Sequence, residues 1–183
     1  MDRLLLQQRS SAKITFPLVW TNTCCSHPLY TNTELDHNTS DDENSKSEAS
    51  FAIGVRRAAT RKLEDELGII ASDAPIDKYT FLSRIHYKAE MENGWGEHEI
   101  DYILFMKTNY INSENDNTYG GDIEININPE EVKAVRYVDR DELRQLIREA
   151  DDNCNSGNER GVKLSPWFRL LVSFLNTVTI LRR

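Results

Sequence analysis

The sequence predicts a mixed α/β fold of the α+β kind, and three observations carry the prediction. Phe51–Leu67 sets Val55, Ala58, Ala59, Leu63 and Leu67 near a 3.6-residue period and then meets Gly68, the pattern of a helix and its stop. Tyr79–Lys88 and Glu97–Lys107 read as two long strands around the turn-forming MENGWG. Near the end of the chain, Asp139 with Glu142 three residues on, and then Ser165–Pro166, mark two more helix starts.

Taken in order, Leu4–Gln8 is a strand with almost nothing before it, and Val19–Cys25 is a second strand rich in β-branched and aromatic residues. Residues 30–50 are polar and acidic and lack the apolar side chains to order themselves, so they read as a mobile insert. The helix over 51–67 presents Arg56, Arg57, Arg61, Lys62, Glu64, Asp65 and Glu66 as its polar side. After the two long strands comes a second polar loop over 108–128, then a short strand at Val132–Val138. Asp139 caps a helix running through Ala150, and a last helix starts at Pro166 and runs through Leu181.

At 183 residues the chain suits one domain, 1–183, with a sizeable core. The net charge of −8 argues against a broad basic face for nucleic acid or a membrane surface, while leaving room for a small basic pocket. No apolar run approaches the roughly 20 residues of a membrane-crossing helix. The N-terminal apolar stretch is too short for a signal peptide, so the expected location is the cytoplasm, and the expected state a monomer. The cysteines are Cys24, Cys25 and Cys154, and vicinal cysteines pair only with strain, so all three are expected as thiols.

Cys25 and His27 are two residues apart, which in an extended chain turns both to one face. GEHEID does the same for Glu97 and Glu99 and turns His98 away. If the two strands converge, an imidazole and two carboxylates make a reasonable divalent-metal set. Cys25 beside it would be a reactive thiol, since a nearby cation lowers thiol pKa. Glu66 in RKLEDELGI is a further carboxylate source, and Arg9 and Lys13 are candidates for phosphate oxygens. Trp167 offers an indole face to a cation. Each has a plainer reading taken alone: packing for the cysteines, a solvated face for the glutamates, surface charge for Arg9 and Lys13, and core for Trp167. The combination is what points to a site.

The motifs KITFP, WTNTCCSHPL, RIHYKA, GWGEHEIDYIL and SPWF, in this order, resemble the type I isopentenyl-diphosphate isomerases in their eukaryotic form, and RKLEDELGI resembles the tail of a Nudix box. The matching segments are Leu4–Leu29, Gly54–Ile69, Leu82–Lys107 and Ser165–Phe168. The resemblance implies a Nudix-type α/β/α sandwich with a mixed sheet, and movement of the double bond of isopentenyl diphosphate to give dimethylallyl diphosphate. It implies Cys25, Glu99 and Tyr87 as catalytic residues. His27, Glu97 and Glu99 would hold one divalent metal, zinc or magnesium, and Glu66 would help to hold a substrate-bridging Mg2+. Arg9, Lys13, Ser26, Lys62 and Trp167 match substrate-binding positions, Lys62 standing where the family often has an arginine.

The family also carries a segment before LLLQQR, with a first strand, two more histidine ligands and a substrate-binding lysine. The chain begins at MDRLLLQQRS and is therefore expected to lack that first strand, to be cut at its C-terminal end, to bind magnesium weakly and to aggregate. The runner-up is a catalytically incompetent fragment or paralogue that retains the fold. A Nudix pyrophosphohydrolase ranks lower: Ser47 and Ile53 stand at the first glycine and first glutamate of the box, and Lys62 replaces another glutamate.

Overall fold

The computed structural model describes residues 3–25, 27–35, 52–108, 123–158 and 160–177. Ser26, most of the expected insert, most of the expected loop over 108–128 and the part of the expected last helix beyond Thr177 lie outside them. The elements are β1 (Leu4–Arg9), β2 (Trp20–Thr21), α1 (Ile53–Leu67), β3 (Thr80–Glu90), β4 (Gly96–Phe105), β5 (Val132–Val138), α2 (Arg140–Ser156) and α3 (Pro166–Thr177), with a 3-10 turn at Ile76–Lys78. This is a mixed α/β molecule with antiparallel pairing, consistent with a Nudix-type α+β fold. The chain divides into two compact units. One comprises Met1–Thr23, Arg84–Asp101 and Pro129–Arg183, and the other Cys24–Ser83 and Tyr102–Asn128.

In the first unit β1 is the central strand of an antiparallel sheet, β2-β1-β5. Its register runs from Leu4 opposite Val138 to Gln8 opposite Ala134, then slips, so that Arg9 faces Val132. A shift of this kind bends the strand and re-aims the side chain that follows, here Arg9. Leu6, Val132 and Val138 are buried, and α2 packs against β5 through Leu143, Leu146 and Ala150, one helical stripe. Asp139 accepts from the amides of Asp141 and Glu142, while the Glu142 carboxylate accepts from the Asp139 amide, a complete capping box. The helix runs past the expected Ala150 to Ser156, because the polar DDNCNS can remain helical on an exposed face until Gly157 turns left-handed.

β2 is much shorter than the expected Val19–Cys25. The hydroxyl of Thr21 bonds Asn22 Oδ1 (2.8 Å), and that of Thr23 bonds the Leu5 carbonyl (2.6 Å). Side-chain bonds of this kind replace a strand ladder. The expectation that Cys25 and His27 share a strand face therefore fails: both lie beyond the strand, in irregular chain. Trp20 instead pairs backbone groups with Lys163 and Ser165, which leads the chain into α3. Ser165 is fully buried, accepts from the Phe168 amide and lies 2.8 Å from the Thr21 hydroxyl, so the expected cap is in place.

In the second unit α1 ends in a Schellman-type turn. Gly68, at φ 68°, donates to Glu64, and Ile69 donates to Leu63. The Asn126 and Asn128 amides then satisfy the Leu67 and Glu66 carbonyls. The polar side expected of α1 is only partly right. Arg56, Thr60 and Glu66 are buried, and Thr60 donates to the Ala74 carbonyl (2.9 Å) beside the Tyr79 hydroxyl (3.3 Å). A buried polar group is tolerated where it has such partners.

Candidate functional site

The first unit gathers six of the expected site residues. Alternation along β3 and β4 turns Tyr87, Glu97 and Glu99 inward, as expected for the glutamates, and leaves His86 and His98 exposed. The Tyr87 hydroxyl lies 2.8 Å from Glu97 Oε2 and 3.2 Å from Glu99 Oε2, so one proton is directed at two carboxylates. Burial first, then the hydrogen bond to Glu97 and the charges of Glu97, Asp101 and Glu99, push this phenol far above the ordinary tyrosine range. Burial and the neighbouring carboxylates thus favour Tyr87 as a neutral donor. The other Glu97 oxygen accepts from the Thr15 hydroxyl at 2.5 Å, a short charge-assisted bond.

The β1–β2 loop supplies the surroundings. Arg9 donates through Nε to the Phe16 carbonyl (3.0 Å) and through Nη2 to the Thr15 carbonyl (2.8 Å). These bonds hold a loop in which Phe16 (φ 45°) and Leu18 (φ 61°) adopt left-handed backbone that costs of order 1 kcal/mol or more per residue. Phe16 meets the Trp167 ring edge-on (5.7 Å), Tyr87 lies 5.8 Å from the same ring, and the Arg9 guanidinium stands 5.4 Å from its centroid. Trp167 is nearly buried, with its N–H on Asn22 Oδ1 (3.0 Å). Its ring does meet a cation, and that cation is Arg9. Lys13, the other expected phosphate ligand, is ion-paired with Glu131.

The second unit holds Cys25, His27, Lys62 and Glu66. Glu66 is buried and receives Lys62 Nζ at 3.2 Å and the Cys24 thiol at 3.4 Å. Cys24 was expected only to pack, yet it is the cysteine placed on this carboxylate. Although the residue keeps some exposed surface, its sulfur is enclosed. That burial, followed by the Glu66 charge, holds the thiol well above its ordinary pKa. Cys24 is thus a neutral donor and a poor nucleophile. His27 is exposed, and its carbonyl accepts from Arg61 Nη2 (3.0 Å). Arg61 also grips Glu34 with Nε (2.7 Å) and Nη2 (3.0 Å), a bidentate pair.

Sequence reasoning passed over Thr15, Phe16, Asn22, Arg61 and Glu34 as site residues. Thr15 and Phe16 stood inside the quoted KITFP, which was the available signal. Arg61 opens the quoted RKLEDELGI, whereas its partner Glu34, 27 residues away, carries no such mark.

Among the described residues no three His, Cys, Asp or Glu side chains gather closely enough to hold a metal ion. Glu97 and Glu99 do not by themselves make a protein cage. Two carboxylates on one face do suit Mg2+, which keeps several waters and commonly shares its shell with substrate phosphates.

No protein-family model matches the chain. Among curated proteins it is 49% identical over 169 residues to isopentenyl-diphosphate Delta-isomerase II, chloroplastic, of Arabidopsis thaliana, covering 92% of this chain and 49% of that protein. It is 52% identical over 169 residues to isopentenyl-diphosphate Delta-isomerase I of Clarkia breweri, covering 92% of this chain and 48% of that protein. Against isopentenyl-diphosphate Delta-isomerase I of Camptotheca acuminata it is 51% identical over 169 residues, covering 92% of this chain and 59% of that protein. The chain spans about half the length of the curated relatives it matches.

Proposed function

We propose, on the premise that this chain is a homologue of the plant isopentenyl-diphosphate Delta-isomerases, that it converts isopentenyl diphosphate to dimethylallyl diphosphate by protonation and deprotonation. The observation that carries the reading is Tyr87, a neutral phenol donating to both Glu97 and Glu99. Glu99 delivers its proton to the terminal alkene carbon, whose π electrons form the new C–H bond and leave a tertiary cation. Tyr87 holds the carboxyl that gives up the proton and stabilises the carboxylate that results. Cys25, as thiolate, takes a proton from C2, and that electron pair closes the new double bond. Cys24, a neutral thiol on Glu66, has no part in proton transfer.

Trp167 gives the reacting carbons an aromatic wall, with Phe16 and Tyr87 against the same ring. Arg9 and Lys13 supply positive charge for the diphosphate, and Ser26 and Lys62 are further contacts in this reading. Lys13 must leave Glu131, and Arg9 must keep the loop closed while it binds. Magnesium, when bound, would neutralise diphosphate charge. Glu97 and Glu99 are the described oxygen donors that suit it in one unit, and His27 and Glu66 are the donors expected in the other.

The test is turnover of isopentenyl diphosphate with Mg2+ in deuterated water, followed by NMR. Deuterium in the methyl group of dimethylallyl diphosphate, lost in Cys25→Ala and Tyr87→Phe, supports the reading. A folded, soluble chain with no turnover favours the incompetent paralogue, for which the lack of a three-ligand metal cluster among the described residues is the supporting observation.

A further inference from the structure

The face of the β3–β4 hairpin opposite Tyr87, Glu97 and Glu99 carries donors that the proposed reaction does not use. His86 and His98 are both exposed there, with Nε2 atoms 2.9 Å apart. Their ring centroids are 5.0 Å apart and the rings are inclined by 30°. The two residues sit on neighbouring strands of one hairpin, so the backbone holds the pair in place without help from a loop. Lys88 shares this face of β3, and its ammonium is paired with Glu90 at 2.6 Å.

We propose that His86 and His98 form a two-imidazole surface site for a divalent transition metal of the Ni2+ or Cu2+ class, distinct from the carboxylates on the inward face. Imidazole is the commonest protein ligand of such ions. The 2.9 Å contact is a hydrogen-bond distance, and it brings both ring nitrogens within reach of a single ion. Two imidazoles with the remaining positions left to water suit Ni2+ or Cu2+, which bind imidazole tightly in octahedral or square-planar shells. Binding breaks the N–H···N contact and any proton on the bonding nitrogens leaves to solvent; the ion sits to one side of the N···N line, and water completes its shell. A bound ion would also tie β3 to β4, the two strands that carry Tyr87, Glu97 and Glu99 on their other face.

The experiment is calorimetric titration of the untagged chain with Ni2+ alone, in a weakly coordinating buffer. Wild type should bind one ion at this site. His86→Ala and His98→Ala should each weaken that binding at least tenfold, and Cys25→Ser should leave it in place. Because both histidines are exposed, far-UV circular dichroism should show the variants folded. His86→Asn and His98→Gln, which keep polarity, should weaken binding in the same way. Unchanged affinity in the double alanine variant overturns the proposal. So does loss of the site in Cys25→Ser, which would place the metal on thiol.

Discussion

The Tyr87 hydroxyl is one oxygen shared by two carboxylates. Replacing it with phenylalanine keeps the ring against Trp167 and removes the donor shared by Glu97 and Glu99. Turnover in Tyr87→Phe should fall by about 100-fold or more, in kcat rather than KM, while the melting temperature changes little. The cysteines make a second contrast. Cys25→Ala should abolish turnover. Cys24→Ala should leave kcat within about threefold and cost about 1 kcal/mol of stability in urea unfolding, because it removes a packed neutral thiol. The inward turn of Glu97 and Glu99 was legible because strand alternation is a two-residue rule. The placement of Cys24 on Glu66 was not legible, because the strand that would have set its direction ends at Thr21.

At the scale of elements, the end of α1 is the sharpest case. Gly68 is left-handed, and a Cβ there would lie 2.8 Å from the Asn126 carbonyl oxygen and 2.9 Å from its Cβ. Gly68→Ala should therefore cost upward of about 2 kcal/mol in denaturant unfolding, from the backbone conformation and the clash together. The glycine as a helix stop was plain in the sequence, and so were the Asp139–Glu142 cap and the bounds of β5. The buried face of α1 was not. Of its apolar period Ala58, Leu63 and Leu67 are buried, while Val55 and Ala59 are only half-buried and Arg56, Thr60 and Glu66 are buried in addition. For Thr60, partners distant in sequence satisfy the polar group, and periodicity carries no record of partners. The Arg9 clasp on Phe16 and Thr15 escaped for the same reason, since it depends on how the loop folds back on the strand that precedes it.

At the scale of the molecule, the mixed α/β class and the isomerase homology were both readable from ordered short motifs, and identity of about one half over 92% of the chain agrees. Stability should carry a signature of the Arg61–Glu34 pair. The hydrogen bond from Arg61 holds the Glu34 carboxyl below its ordinary value, against an opposing effect of burial. A carboxylate with a lowered folded-state pKa stabilises fully above its unfolded value, about 4.3, and that contribution is lost as pH falls through the lower folded value. Wild type should therefore melt above Glu34→Gln at neutral pH, with the two curves converging on acidification below about pH 4. A constant difference across that range would show that the pair contributes nothing through charge. The most direct test of the central claim is single-turnover conversion of isopentenyl diphosphate by the 183-residue chain and by Tyr87→Phe, with Mg2+ present. The first should form dimethylallyl diphosphate, and the second should react at least about 100-fold more slowly. Equal rates from both would rule out the role given to Tyr87.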